Sequence, residues 1–205
     1  MTTSAPLRAL ALVCTLTPSP GKSSSELIAQ QVLDALGEHH VLGELVRLVD
    51  LDVKPGVDTD MGTGDAWPGI RERIMAADIL LVATPIWLGH PSSVAQRALE
   101  RLDGEISQTD EQGRPQVYGK VAIAAVVGNE DGAHKVSADL FQALDDVGFT
   151  IPAGGVTYWN GEAMQTVDYQ DLDDVPEQVK STTTTLASNA AHLATLLRAN
   201  PYPPS

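Results

Sequence analysis

The chain carries a single cysteine, Cys14, among its 205 residues. An internal disulfide, a cysteine zinc site and a four-cysteine iron–sulfur cluster are therefore excluded. Cys14 lies inside an apolar run, which reads as a buried, inert thiol. Positive charge is also scarce: 13 Lys and Arg stand against 27 Asp and Glu, a formal net charge of −14. Such a field repels phosphate backbones and anionic surfaces, so nucleic acid and membrane partners are set aside, and any anionic small ligand meets repulsion at long range. No apolar run reaches the length of a membrane span; the longest, Ile79–Leu88, is interrupted by Thr84 and Pro85. The first residues lack the basic segment and long apolar stretch of a secretory signal, and a cytoplasmic location is the expectation.

What is present suits one compact α/β domain over residues 1–205, with loose termini at 1–6 and 200–205. Hydrophobic residues make up 43% of the chain, enough for a full core at this length. The 17 glycines and 13 prolines punctuate elements and do not form runs. Leu7–Leu16 is a near-continuous apolar run, as in a strand covered on both faces. Ile28, Val32 and Leu36 then recur at helical spacing. Leu42–Leu51 alternates and predicts a strand nearer an edge. Lys54–Pro68 is a polar connection, Gly69–Ala77 a short helix and Asp78–Ala83 a third, buried strand. Pro91–Leu102 predicts a helix, Asp103–Gly119 a long polar insertion, and Lys120–Val127 a fourth strand. A helix over 134–147 and a strand over Phe149–Tyr158 follow. The acidic run Asp168–Glu177 reads as a solvated lead-in to a last helix, with Asp174 and Glu177 spaced as a capping box around Pro176. Five strands alternating with five helices imply a doubly wound, five-stranded parallel sheet with helices on both faces. Strand order 2-1-3-4-5 is expected, because it brings the first, third and fourth strand-end loops over one ligand.

Those three loops carry the chemistry. Thr17–Ser25 (TPSPGKSSS) places hydroxyls immediately before a helix, where free backbone N–H groups and the helix dipole suit a phosphate; an ordinary serine-capped helix has the same appearance. Gly21–Ser23 is not a nucleoside-triphosphate loop, since the glycine required five positions earlier is Leu16, and Pro18 and Pro20 remove two backbone donors. Thr84–Ser92 (TPIWLGHPS) leaves a buried strand with apolar side chains able to flank a flat ring, Trp87 among them. Gly128–His134 (GNEDGAH) offers close backbone approach and polar groups for a pyrimidine edge. His90 and His134 lie within these loops, and Tyr158 and Trp159 at the end of the fifth strand are placed to wall the same pocket.

The first loop resembles the SPRxxGNT phosphate loop of the NADPH-dependent FMN reductases and WrbA-like flavoproteins. The second resembles their TPIYWGSxPxxLK flavin loop, and the third their third loop, in the same order along most of the chain. This resemblance implies a flavodoxin-like fold, bound FMN, and use of NAD(P)H to reduce a flavin, quinone or similar small acceptor by a homodimer or higher homo-oligomer. By position, Thr17, Ser19, Ser23 and Ser24 hold the phosphate. Pro85, Ile86, Trp87, Leu88 and Gly89 follow the ring and ribityl chain, and Asn129, Glu130 and Gly132 close the pyrimidine side. No metal and no catalytic side chain is implied, because the flavin does the electron chemistry. Ser19 stands where the family pattern has arginine, which removes a cation from the phosphate or nicotinamide neighbourhood. A non-enzymatic electron carrier of flavodoxin type is the rival reading, favoured by the acidic surface.

Overall fold

A computed structural model describes residues 5–162 and 166–203. The parts of the terminal segments at 1–4 and 204–205 lie outside the described residues. Among the described residues, six strands and five α-helices follow in the order β1 (Arg8–Val13), α1 (Ser24–Gly37), β2 (Leu42–Arg47), α2 (Trp67–Ala76), β3 (Ile79–Trp87), β4 (His90–Pro91), α3 (Ser93–Leu102), β5 (Val121–Gly128), α4 (Ala133–Val147), β6 (Val156–Asn160) and α5 (Glu177–Ala199). Five strands run parallel in the order β2-β1-β3-β5-β6, and β4 pairs antiparallel with the end of β3. The sheet thus has one strand more than the sequence pattern predicts. β4 is only two residues long, too short to leave a periodicity of its own.

The apolar runs explain the layers. Successive strand residues point to opposite faces, so Leu10 and Leu12 of β1 join one core cluster while Ala9, Ala11 and Val13 join another. The same division splits β3 and β5. The first core is closed by α2, α3 and α4 through Ile70, Ile74, Ala98, Leu102, Leu140 and Leu144. The second is closed by α1 and α5 through Ile28, Val32, Leu36, Leu186 and Ala190. A sheet buried on both faces needs no alternation, and this is why the central strands read as continuous hydrophobic segments.

Several expectations need correction. β2 stops at Arg47 and passes into a 3-10 turn over Leu48–Asp50, so the predicted strand to Leu51 is too long. β6 begins at Val156, because Pro152 and the Gly154–Gly155 pair keep the preceding residues irregular apart from a bridge at Thr150. α5 starts after Pro176 with no side-chain cap, so the Asp174–Glu177 capping box does not form. The Asp103–Gly119 segment is partly folded in: a 3-10 turn covers Asp103–Ser107, and Glu105 and Val117 are buried. No helix among the described residues is long and apolar enough to cross a membrane.

Candidate flavin site

The loops leaving β1, β3 and β5 meet at the carboxyl edge of the sheet and enclose a cavity of about 320 Å³. Their mutual position is fixed by a few contacts. Ser92 caps α3 by accepting from Ala95 N at 3.1 Å, and its hydroxyl donates to the Cys14 carbonyl at 2.6 Å, tying the β3 loop to the β1 end. Gly128 lies so close to Ile86 that a Cβ there would stand 2.8 Å from the Ile86 Cβ, which leaves no room for a side chain between the second and third loops. Gly132, with φ of 120°, lets the third loop turn into α4 beside Gly89.

At one end of the cavity is the start of α1. Ser23 is the N-cap, its Oγ accepting from Glu26 N at 3.2 Å. The first N–H groups of the helix have no intrahelical acceptor and, with the Ser23 and Ser24 hydroxyls and Lys22 in the cavity wall, form a cradle for an anion. Arg47 braces this loop from behind. Its guanidinium donates to the Thr17 carbonyl at 3.2 Å and the Gly21 carbonyl at 2.8 Å, and pairs with the Glu26 carboxylate. Within the predicted strand Leu42–Leu51 nothing local marks Arg47 for this role, because the loop it braces is 26 to 30 residues away in sequence.

Ser19 itself faces elsewhere. Its N–H and hydroxyl both donate to the Asp50 carboxylate, at 2.8 and 2.5 Å, and those bonds together with nearby Arg47 hold the Asp50 carboxyl below its usual range. Thr17, Ser23, Ser24, Pro85, Ile86, Trp87, Leu88, Asn129 and Glu130 all line the cavity, whereas Ser19, Gly89 and Gly132 do not. Trp87 is 55% exposed and Leu88 88% exposed, so the tip of the second loop stands at the mouth and not in the core. The Glu130 carboxylate accepts from Gly89 N at 3.4 Å, joining the second and third loops.

Trp159 lines the cavity, while Tyr158 turns its hydroxyl to His134 Nε2 at 2.9 Å. His90 Nδ1 contacts the Leu88 carbonyl at 2.8 Å, and neither histidine is in the cavity wall. Asp168, Tyr169 and Gln170 complete the wall. This corrects the reading of the acidic run from Asp168 as wholly solvated. Cys14 is fully buried and burial pushes its thiol up to about 12, so it supplies no nucleophile or redox partner.

The cavity suits FMN by its division of chemistry. Hydroxyl and N–H donors with one lysine gather at the α1 end, apolar and indole surfaces flank the space beyond, and Asn129 and Glu130 supply polar groups at the third loop.

Residues 7–164 match the family described as NADPH-dependent FMN reductase. The 8-demethyl-8-aminoriboflavin-5'-phosphate synthase of Streptomyces davaonensis is 30% identical over 96% of this chain and 80% of that protein. The crystal structure of RosB with a bound 8-demethyl-8-formylriboflavin-5'-phosphate intermediate superposes with a TM-score of 0.87 at 30% identity, covering 96% of this chain and 82% of that one. A Mycobacterium bovis protein named divalent metal cation transporter MntH is 35% identical over 94% of this chain, which spans only 29% of that protein. FMN as cofactor and NAD(P)H as electron donor go with the matched family. The chain belongs to the NADPH-dependent FMN reductase family.

Proposed function

We propose that the chain binds FMN in this cavity and uses it to carry electrons from NAD(P)H to a flavin, quinone or similar small acceptor. The observation that carries the reading is one cavity with an anion cradle at the α1 start and indole and apolar walls beyond it. Hydride acceptance and electron transfer are the chemistry that bound FMN would supply. The protein's part is placement. The N–H groups of α1 and the Ser23, Ser24 and Thr17 hydroxyls hold the phosphate, and Arg47 fixes the loop that carries them. Pro85 to Leu88 and Trp159 flank the ring, while Asn129 and Glu130 meet its pyrimidine side. Ser19, Gly89 and Gly132 act at one remove, by setting the loop shapes. The exposed Trp87–Leu88 tip supports a homo-oligomer in which a second copy covers the mouth. Chromatography of the cofactor released on denaturation, followed by NAD(P)H oxidation with a quinone or free flavin, tests the reading. FAD, or apoprotein that FMN cannot reconstitute, refutes it, and sedimentation of a monomer alone refutes the oligomer.

A second reading follows from the likeness to a protein named for making an aminated flavin phosphate. In it the flavin is the substrate and is chemically altered in the same cavity. Mass spectrometry of the flavin after turnover separates the two: an unchanged mass supports the reductase, a changed one the modifying enzyme.

A further inference from the structure

The wall formed by Asp168, Tyr169 and Gln170 lies past residue 164, where the family match ends. It is tied on three sides. Asp168 accepts from Asn129 Nδ2 at 3.1 Å, and Gln170 N donates to Ser24 Oγ at 3.3 Å. Between them Tyr169 is buried, its hydroxyl donating to Gln31 Oε1 at 2.6 Å and its ring 5.5 Å from that of Trp159. The turn therefore spans from the phosphate loop to the third loop, along the length of the cavity between its two polar ends.

Within this fixed turn the side-chain oxygen of Gln170 is buried and has no hydrogen-bond partner. A buried polar atom without a partner is rare in folded proteins and calls for a group that completes its bonding, a water or a ligand. As placed, the amide oxygen lacks a donor, and Gln170 stands in the cavity wall. A phosphate dianion has no proton to give, and on the FMN reading the ring N–H would lie at the opposite end, beside Asn129 and Glu130. The donors between those ends are the hydroxyls of the ribityl chain.

We propose that Gln170 Oε1 accepts a hydrogen bond from a ribityl hydroxyl, and that the 168–170 turn is the wall by which this chain selects a ribityl phosphate flavin. The inference rests on the FMN reading and holds whether the flavin is cofactor or substrate. Binding is measured by quenching of flavin fluorescence with FMN, its 2′-, 3′- and 4′-deoxy analogues, and lumiflavin, which has no ribityl chain. Gln170→Met should bind FMN about 10-fold more weakly, with the apoprotein melting temperature unchanged. One deoxy analogue should bind the wild type weaker by the same factor, and the variant should no longer distinguish that analogue from FMN. Lumiflavin should bind both proteins alike. A wild-type chain that binds no FMN overturns the function reading and this inference with it. FMN binding that is equal in wild type and variant overturns this inference alone. So does a variant that still discriminates the deoxy analogues as the wild type does, even if its apoprotein is less stable, since Gln170 would then serve folding only.

Discussion

Arg47 stands at the end of β2 with its guanidinium behind the loop that follows β1, touching two carbonyls of that loop and the Glu26 carboxylate. Its side chain is only 6% exposed, while that of Glu26 is 36% exposed and remains solvated if the pair is broken. Arg47→Met should therefore destabilise the apoprotein by about 2 kcal/mol, less than the loss of a fully buried pair. The more telling effect is on selectivity. Without its brace the loop presents its N–H groups less rigidly, so the preference for FMN over riboflavin should fall by about tenfold, or ~1.4 kcal/mol. Titration of both ligands checks this, and equal weakening of the two would assign Arg47 to folding alone. Trp87 gives the opposite pattern. Being 55% exposed, it contributes little to the core, and Trp87→Ala should change apoprotein stability by less than about 0.5 kcal/mol. FMN affinity should drop by the ~0.5–1.5 kcal/mol of an aromatic contact, with a changed acceptor preference. A large fall in melting temperature with intact flavin binding would return Trp87 to the core.

At the scale of elements, the connection from β2 to α2 is pinned to α3 by buried charges. Arg101 and Asp65 pair at 2.8 Å with both side chains fully buried, and Arg101 also donates to the Asp58 and Lys54 carbonyls. The guanidinium lies 5.5 Å from the Trp67 ring centroid, and Arg71 grips the buried Glu105 nearby. Burial alone would raise the Asp65 carboxyl, but Arg101 and the N–H groups of Met61, Trp67 and Lys54 outweigh it and hold it far below the usual carboxylate range. Because the folded-state value is depressed, the stabilisation is present above the unfolded value of about 3.9 and is lost as pH falls below it toward the folded one. Asp65→Asn should flatten the acid limb of stability below about pH 4, as read by urea unfolding at successive pH values. An unchanged limb would place the acid sensitivity elsewhere.

None of this network was legible in the sequence, because the partners are separated by tens of residues and sit in a segment that reads as a polar loop. The central strands β1, β3 and β5, buried on both faces, were legible as continuous apolar runs, and α1 and α4, each packed on one face, by their helical spacing. The loops after β1 and β3 carry local signals, hydroxyls before a helix and an apolar turn after a strand, and both line the cavity. The wall at Asp168–Gln170 was not, because its role depends on Ser24 and Asn129, which are far away in sequence.

For the whole molecule the governing quantity is the net charge of −14. A nicotinamide dinucleotide is itself an anion, so the acidic surface slows its approach, and only local donors such as Lys22 at the cavity oppose that field. Screening weakens the repulsion beyond a Debye length of about 10 Å at 0.1 M salt, while contacts inside the cavity are screened much less. The two effects predict a sign. Raising ionic strength from about 0.01 to about 0.1 M should increase kcat/KM for NADPH, because approach becomes easier and the bound complex is little changed. The increase should be smaller for NADH, which lacks the extra phosphate, and absent for an uncharged quinone. Steady-state oxidation at fixed pH, with potassium chloride as the only variable, measures all three. A fall in kcat/KM with salt would mean that cations around the cavity, and not the net charge, dominate the encounter. The acidic surface would then be a property of solubility, with no part in how the donor arrives.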